Sequence, residues 1–405
     1  PWYVKVNGNR NWGLNLGYHF EAKNEKTQAP LGVHLSSIEL EGPIYESWPP
    51  PYHRRIFHVR KEGQSDEVYA KEVLEIFMSR AFRQPVEEEE FNRMMSLYRK
   101  GIEDKLTFME AMRLPLTTVL CSPKFLYLSG PGRNQTPAFS LASRLSYFLW
   151  RSMPDEELLR LAKSKALLRS YVLKKQIVRM LKDSRRSALV RNFTRQWLNL
   201  DKLKSLEADR KLYHPLNLRV KTSMIGESEA FFEHILDQKL PLRTFLDSDF
   251  VMVDNMMARL YGLKNVDGDH FRKVQLKPHN MRGGILAHGS VLTVTSNGIR
   301  TLPVDRGVFI LENILGDPPS SPPPDVGQLE DVKIPKLDAT IREKLELHRK
   351  DPTCARCHNK IDPLGFALEN FNAIGQFRRH EMKYSEEKGK FKGALVDATG
   401  KLPNG

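Results

Sequence analysis

Along this chain the spacing of apolar positions changes twice. In residues 1 to about 60 apolar and polar positions alternate in short runs. Trp2-Tyr3-Val4-Lys5-Val6, Trp12-Gly13-Leu14-Asn15-Leu16-Gly17-Tyr18 and Val33-His34-Leu35-Ser36-Ser37-Ile38-Glu39-Leu40 are separated by turn residues. A period of two puts alternate side chains on opposite faces of a strand, so residues 1–60 are expected to be the tail of a β-sandwich. Trp48-Pro49-Pro50-Pro51-Tyr52 breaks regular structure and marks its end.

From Ser65 the period becomes helical. Tyr69, Val73, Ile76, Phe77 and Arg80 fall on one predicted face, and Leu141, Leu145, Phe148 and Leu149 on another. Further helices are expected over about 87–100, 105–121, 170–182, 187–200 and 217–238. Pro154 before Asp155-Glu156-Glu157 reads as a helix start, with proline in the first turn and carboxylates at the positive end of the dipole. Residues 65–265 are therefore expected to be a helical domain. Residues 266–405 are mixed: a strand near Phe271–Leu276, Gly283 and Gly284, then an apolar helix over about Val304–Leu315. Pro318-Pro319-Ser320-Ser321-Pro322-Pro323-Pro324 is a stiff spacer, expected to separate that helix from the cysteine segment. Thr340 with Glu343 forms a capping box, opening a helix on which Ile341, Leu345 and His348 share a face. The fold class expected is mainly α: a β-sandwich remnant, a central helical domain and a small C-terminal segment.

Composition narrows the function. The chain has 405 residues, enough for two or three domains. No apolar run approaches the roughly 20 residues needed to span a bilayer, so a membrane-spanning protein is not expected. It opens inside a strand and stops on the turn-like Leu402-Pro403-Asn404-Gly405, and is read as a piece of a longer chain. The net charge of +14 is concentrated: residues 161–221 hold 17 Lys or Arg against 4 Asp or Glu, an excess of 13. Such a region could be a docking face for an acidic protein or an anionic polysaccharide, with nucleic acid disfavoured, or simply a set of solvated helix faces.

The 3 cysteines exclude a disulfide-built fold. Cys121, at the end of an apolar stretch, is expected to be a buried, inert thiol. Cys354 and Cys357, with His358 directly after them, carry the chemistry. Two thiols one helical turn apart suit thioether bonds to the two vinyl groups of one porphyrin, while the adjacent imidazole reaches the iron. In a chain with 3 cysteines and 12 histidines this pattern arises by chance roughly once in a thousand. One covalent haem c is the expected cofactor, on Cys354 and Cys357, with His358 as proximal ligand and His348, Met382 or His380 as candidate distal ligands. Such a cofactor implies an oxidising, periplasmic or otherwise extracytoplasmic compartment. Two alternatives stay open: zinc held by the two cysteines with His348 or His358, short of a fourth thiolate, and a redox dithiol, weakened by the lack of a βαβ pattern. Glu227, Glu229, Glu233 and His234 could line a site, although a solvated helix face explains them better. Ser290 after Gly289 reads as structural, and Asp267-Gly268-Asp269-His270 as a polar turn.

Several longer stretches resemble a known family. Arg282-Gly283-Gly284-Ile285-Leu286, Val291 through Asn297, Arg306 through Gly316, and Cys354 through His358 continuing in Ile361-Asp362-Pro363-Leu364-Gly365-Phe366-Ala367-Leu368-Glu369-Asn370-Phe371 resemble the large multidomain cytochrome-c-containing proteins of planctomycetes. Leu141-Ala142-Ser143-Arg144-Leu145-Ser146-Tyr147-Phe148-Leu149-Trp150 and Arg195-Gln196-Trp197-Leu198 resemble their helical domain of unknown function. The resemblance implies export, a cytochrome c domain and a carbohydrate-binding-like sandwich before residue 1, and a further helical domain after residue 405. It brings no known reaction, and its link to polysaccharide breakdown is one of domain company. Three functions are therefore in view: electron transfer to a redox partner protein, a haem enzyme of peroxidase-like or glycan-oxidising type, and a zinc-stabilised scaffold.

Overall fold

The computed structural model describes residues 3–5, 39–41, 47, 49–128, 136–213, 216–320, 340–385 and 389–401. The chain is mainly α, with three two-stranded antiparallel sheets among the described residues. It divides into two compact units, residues 1–144 with 154–168, and residues 145–153 with 169–405.

In the first unit β1 (Tyr3–Lys5) pairs with β2 (Glu39–Glu41), and the short α1 (Pro51–Arg54) comes next. The rest of the expected sandwich tail, including the runs at Trp12–Tyr18 and Val33–Ile38, lies outside the described residues. Helix α2 (Asp66–Phe82) begins where Ser65 accepts a hydrogen bond from the amide of Val68, and ends on Arg83 at φ 59°. Helices α3 (Glu88–Glu103), α4 (Phe108–Cys121) and α5 (Pro123–Leu126) pack with it around Val73, Leu74, Met78, Met95 and Met112. A capping box between Thr107 and Glu110 starts α4. Two expectations are corrected here. Ile76 is exposed, because the buried face of α2 runs through Ala70, Val73, Leu74 and Met78. Cys121 is exposed rather than buried, since it is the last residue of α4 and Ser122 turns the chain into α5.

Helix α6 (Pro137–Trp150) contains the break between the units. Its buried positions include Ala138, Ala142, Leu149 and Trp150, whereas Phe148 is exposed. Ser140, Ser143 and Ser146 are buried with them, as is Phe139. Helix α7 (Glu156–Lys163) is capped by Asp155, which accepts from the Leu158 amide, so Pro154 lies just outside the first turn expected to hold it.

The second unit contains α8 (Ser170–Lys182), α9 (Ser187–Trp197) and the long α10 (Leu218–Gln238), then β3 (Phe250–Val253), α11 (Asn255–Tyr261) and β4 (Arg272–Gln275). Strands β3 and β4 form an antiparallel pair, with β4 in the expected place. The core of this unit gathers Met224 and Phe231 of α10, Val253, Met257 and Val291. Helix α12 (Gly289–Val294) is buried along its length. Helix α13 (Pro303–Phe309) runs on as a π-helical turn, Ile310–Leu315, and stops at Gly316, φ 64°.

Of the proline spacer, residues 318–320 are described. Beyond it α14 (Ile341–His348) opens with the expected Thr340–Glu343 capping box, and α15 (Pro352–Phe366), β5 (His380–Ser385) and β6 (Gly389–Leu395) complete the order. The spacer does not hold the cysteine segment away from α13. Helix α15 crosses α13 at two glycines: a Cβ on Gly365 would come 1.8 Å from the Pro303 carbonyl oxygen, and one on Gly307 2.1 Å from that of Ile361. Backbones approach there as no larger residue allows.

Candidate functional site

Asp351 starts α15 by accepting from the Thr353 amide at 2.7 Å, and Pro352 fills the first helical position, where no amide hydrogen is required. Cys354 lies in that first turn. Cys357 is one turn further on and His358 immediately after it. Both thiols are free and half-buried. Burial, with Asp351 and Cys357 adding to it, pushes the Cys354 thiol up from its ordinary value.

One turn beyond His358, Asp362 is fully buried, and its Oδ1 lies 2.8 Å from His358 Nδ1. A carboxylate accepts and does not donate, so with Asp362 as the acceptor of this contact His358 Nδ1 is the donor, and the neutral ring then has its lone pair on Nε2. Asp362 Oδ2 has no hydrogen-bond partner, and the nearest charge is Arg349, whose Nε stands 3.6 Å away. Helix α14 brings His348 against His358, ring centroids 5.0 Å apart and planes at 81°. The helix is held there by buried Leu345 and by Arg342, whose guanidinium stacks 4.1 Å over Phe366. The structure thus brings together His348, Arg349, His358 and Asp362. Met382 and His380 stand half-buried on β5.

The far end of α15 is clamped. Buried Arg306 of α13 donates to Glu369 at 2.8 Å and to the carbonyls of Leu368, Phe371 and Asn372, while Arg378 and Thr301 complete the partners of Glu369. Burial lowers the Arg306 guanidinium to about 10, which leaves it charged at neutral pH.

A second polar cluster lies beneath α12. Glu227, expected on a solvated face, is completely buried, because α10 turns it towards Tyr261. The Tyr261 hydroxyl donates to Glu227 Oε2 at 2.6 Å and accepts from the Gly289 amide at 2.6 Å. Desolvation lifts the Glu227 carboxyl from 4.5 to about 8. His288, also fully buried, has Nδ1 3.0 Å from Ser228 Oγ, and burial lowers it from 6.5 to about 3. Ser290 is fully buried and its hydroxyl lies 2.7 Å from that of Ser228. Glu229 and Glu233 pair with Arg195 and Arg186 instead. Sequence reasoning misses Asp362, Arg349, Tyr261 and His288. The i, i+4 spacing of His358 and Asp362 is the one signal that points to the first of them.

Among the described residues no three His, Cys, Asp or Glu side chains converge as metal ligands, so none of them forms a ready-made zinc site. Haem makes a different demand: it takes one imidazole at the iron and binds two sulfurs through carbon, and His358, Cys354 and Cys357 on α15 are residues of those types. A separate cavity of about 620 Å³ in the first unit, lined by Glu75, Ser79, Phe91, Phe139, Leu159 and Lys163 among others, contains no residue of the cysteine motif.

Three successive segments match family models. Residues 69–129 match PSD5, protein of unknown function (DUF1595), residues 137–263 match PSD4, protein of unknown function (DUF1592), and residues 282–381 match PSCyt3, protein of unknown function (DUF1588). These are domains of the planctomycete cytochrome-c-like type found in multidomain proteins. No curated protein and no solved structure matches the chain.

Proposed function

We propose that this chain is an extracytoplasmic electron-transfer protein carrying one haem c, bound through Cys354 and Cys357, with His358 as the iron ligand. The observation that carries the reading is the order of groups on α15: two half-buried free thiols one turn apart, then an imidazole whose Nδ1 is occupied by buried Asp362, leaving Nε2 to bind. The group would supply a one-electron carrier; the chain supplies its attachment and orientation. Anchoring α15 on α13 and by Arg306 and Glu369 keeps the attachment helix fixed, which favours small reorganisation when charge changes. The cytochrome-c-like type of the matched domains supports the same class. Attachment by thioether belongs with an oxidising compartment, and the electron would be exchanged with a partner protein.

The test is the whole chain produced alongside haem-ligation machinery. The parent retains haem after denaturation and solvent extraction, Cys354→Ala and Cys357→Ala each reduce the retained haem sharply, and the double variant retains none. Equal retention in the double variant would overturn the reading.

A further inference from the structure

We infer that Asp362 is a positioning residue for the iron ligand: it fixes the tautomer of His358 and strengthens Nε2 as a donor, which lowers the reduction potential. The inference rests on the reading of His358 as that ligand. A carboxylate with no exposed surface gives up its hydration, and a helix-surface i, i+4 pair would bring back only a small part of that. Asp362 is not a surface pair. Its Oδ1 is committed to His358 Nδ1 at 2.8 Å, and its Oδ2 has no hydrogen bond, with Arg349 Nε at 3.6 Å as the nearest counter-charge.

The chemistry of the pair explains its burial. Metal-ligating histidines commonly donate their second N–H to a carboxylate, which sets the ring orientation and raises ligand basicity. Donation from Nδ1 gives the imidazole partial anionic character. A more electron-rich Nε2 favours the ferric over the ferrous state. Burial makes the effect larger, because no water competes for Oδ1 and the surrounding dielectric is low. Pro363 comes directly after it and α15 is locked against α13 through Gly365, so Asp362 is held at its place on the helix.

Two measurements test this. In the haem-loaded whole chain, Asp362→Asn should move the midpoint potential to more positive values and shift the Fe–His stretching band to lower frequency, with Asp362→Glu recovering part of both. Haem present with both readouts unchanged in Asp362→Asn would overturn the inference while leaving the attachment reading intact. Absence of covalent haem from the parent itself would be a failure of that reading instead. Should Asp362→Asn not fold, nitrogen-15 NMR of the unloaded parent decides: the neutral His358 ring is expected to carry its proton on Nδ1, and a proton on Nε2 would refute the proposal.

Discussion

Two buried side chains, Glu227 and His288, are moved away from their ordinary ranges in opposite directions by the same cause, desolvation. Glu227 holds its proton to about 8 in the fold and to about 4.5 when unfolded, so between those values the folded state binds the extra proton and stability falls as pH rises. His288 does the opposite: it is neutral in the fold down to about 3, whereas the unfolded ring charges near 6.5, so stability is lost as pH falls through that window. Glu227→Gln keeps an acceptor for the Tyr261 hydroxyl and removes the titration. Urea unfolding of this variant and the parent should show its stability relative to the parent rising from about pH 4.5 to about 8; a constant difference would mean the carboxyl is not protonated in the fold. The sequence does not set Glu227 apart from Glu229 and Glu233. What distinguishes it is its place on the inward face of α10, opposite a tyrosine 34 positions later. Cys354, Cys357 and His358 stand out in the sequence because the haem-attachment pattern is one of local spacing alone.

At the scale of elements, the crossing of α13 and α15 decides where the cysteine motif stands. Alanine in place of a helical glycine normally stabilises by about 1 kcal/mol. At Gly365 the added methyl would meet the Pro303 carbonyl at 1.8 Å, a backbone atom that no rotamer change can move. Gly365→Ala is therefore expected to lose about 1–3 kcal/mol by denaturant unfolding, and a neutral or stabilising result would show that the helices are free to separate. The helices themselves are largely readable: α8 and α10 begin and end within a residue of the spans predicted from periodicity. What periodicity does not give is the rotation of a helix whose small residues pack, as in α6, or the partner of α15. The spacer suggests distance, whereas glycines 58 positions apart, Gly307 and Gly365, bring the two helices into contact.

Over the whole molecule, charge is less free than its total implies. Within the basic stretch Arg186 pairs with Asp237 and Glu233, Arg195 with Glu229, and Arg219 with Asp269, all partners from outside residues 161–221. Arg185 pairs with Asp183 and stacks 3.5 Å over Trp150. Part of the excess read from the sequence is thus neutralised within the fold, which the linear count does not show. Among the described residues no helix is long and apolar enough to cross a membrane. The central claim is chemical: one haem on two named sulfurs. Mass spectrometry of the proteolytic peptide spanning Cys354 to His358, from protein made where a control cytochrome is fully loaded, tests it most directly. The account predicts a single peptide species heavier by one haem, with both thiols resistant to alkylation. The same peptide recovered without haem and alkylated at both Cys354 and Cys357 would contradict it.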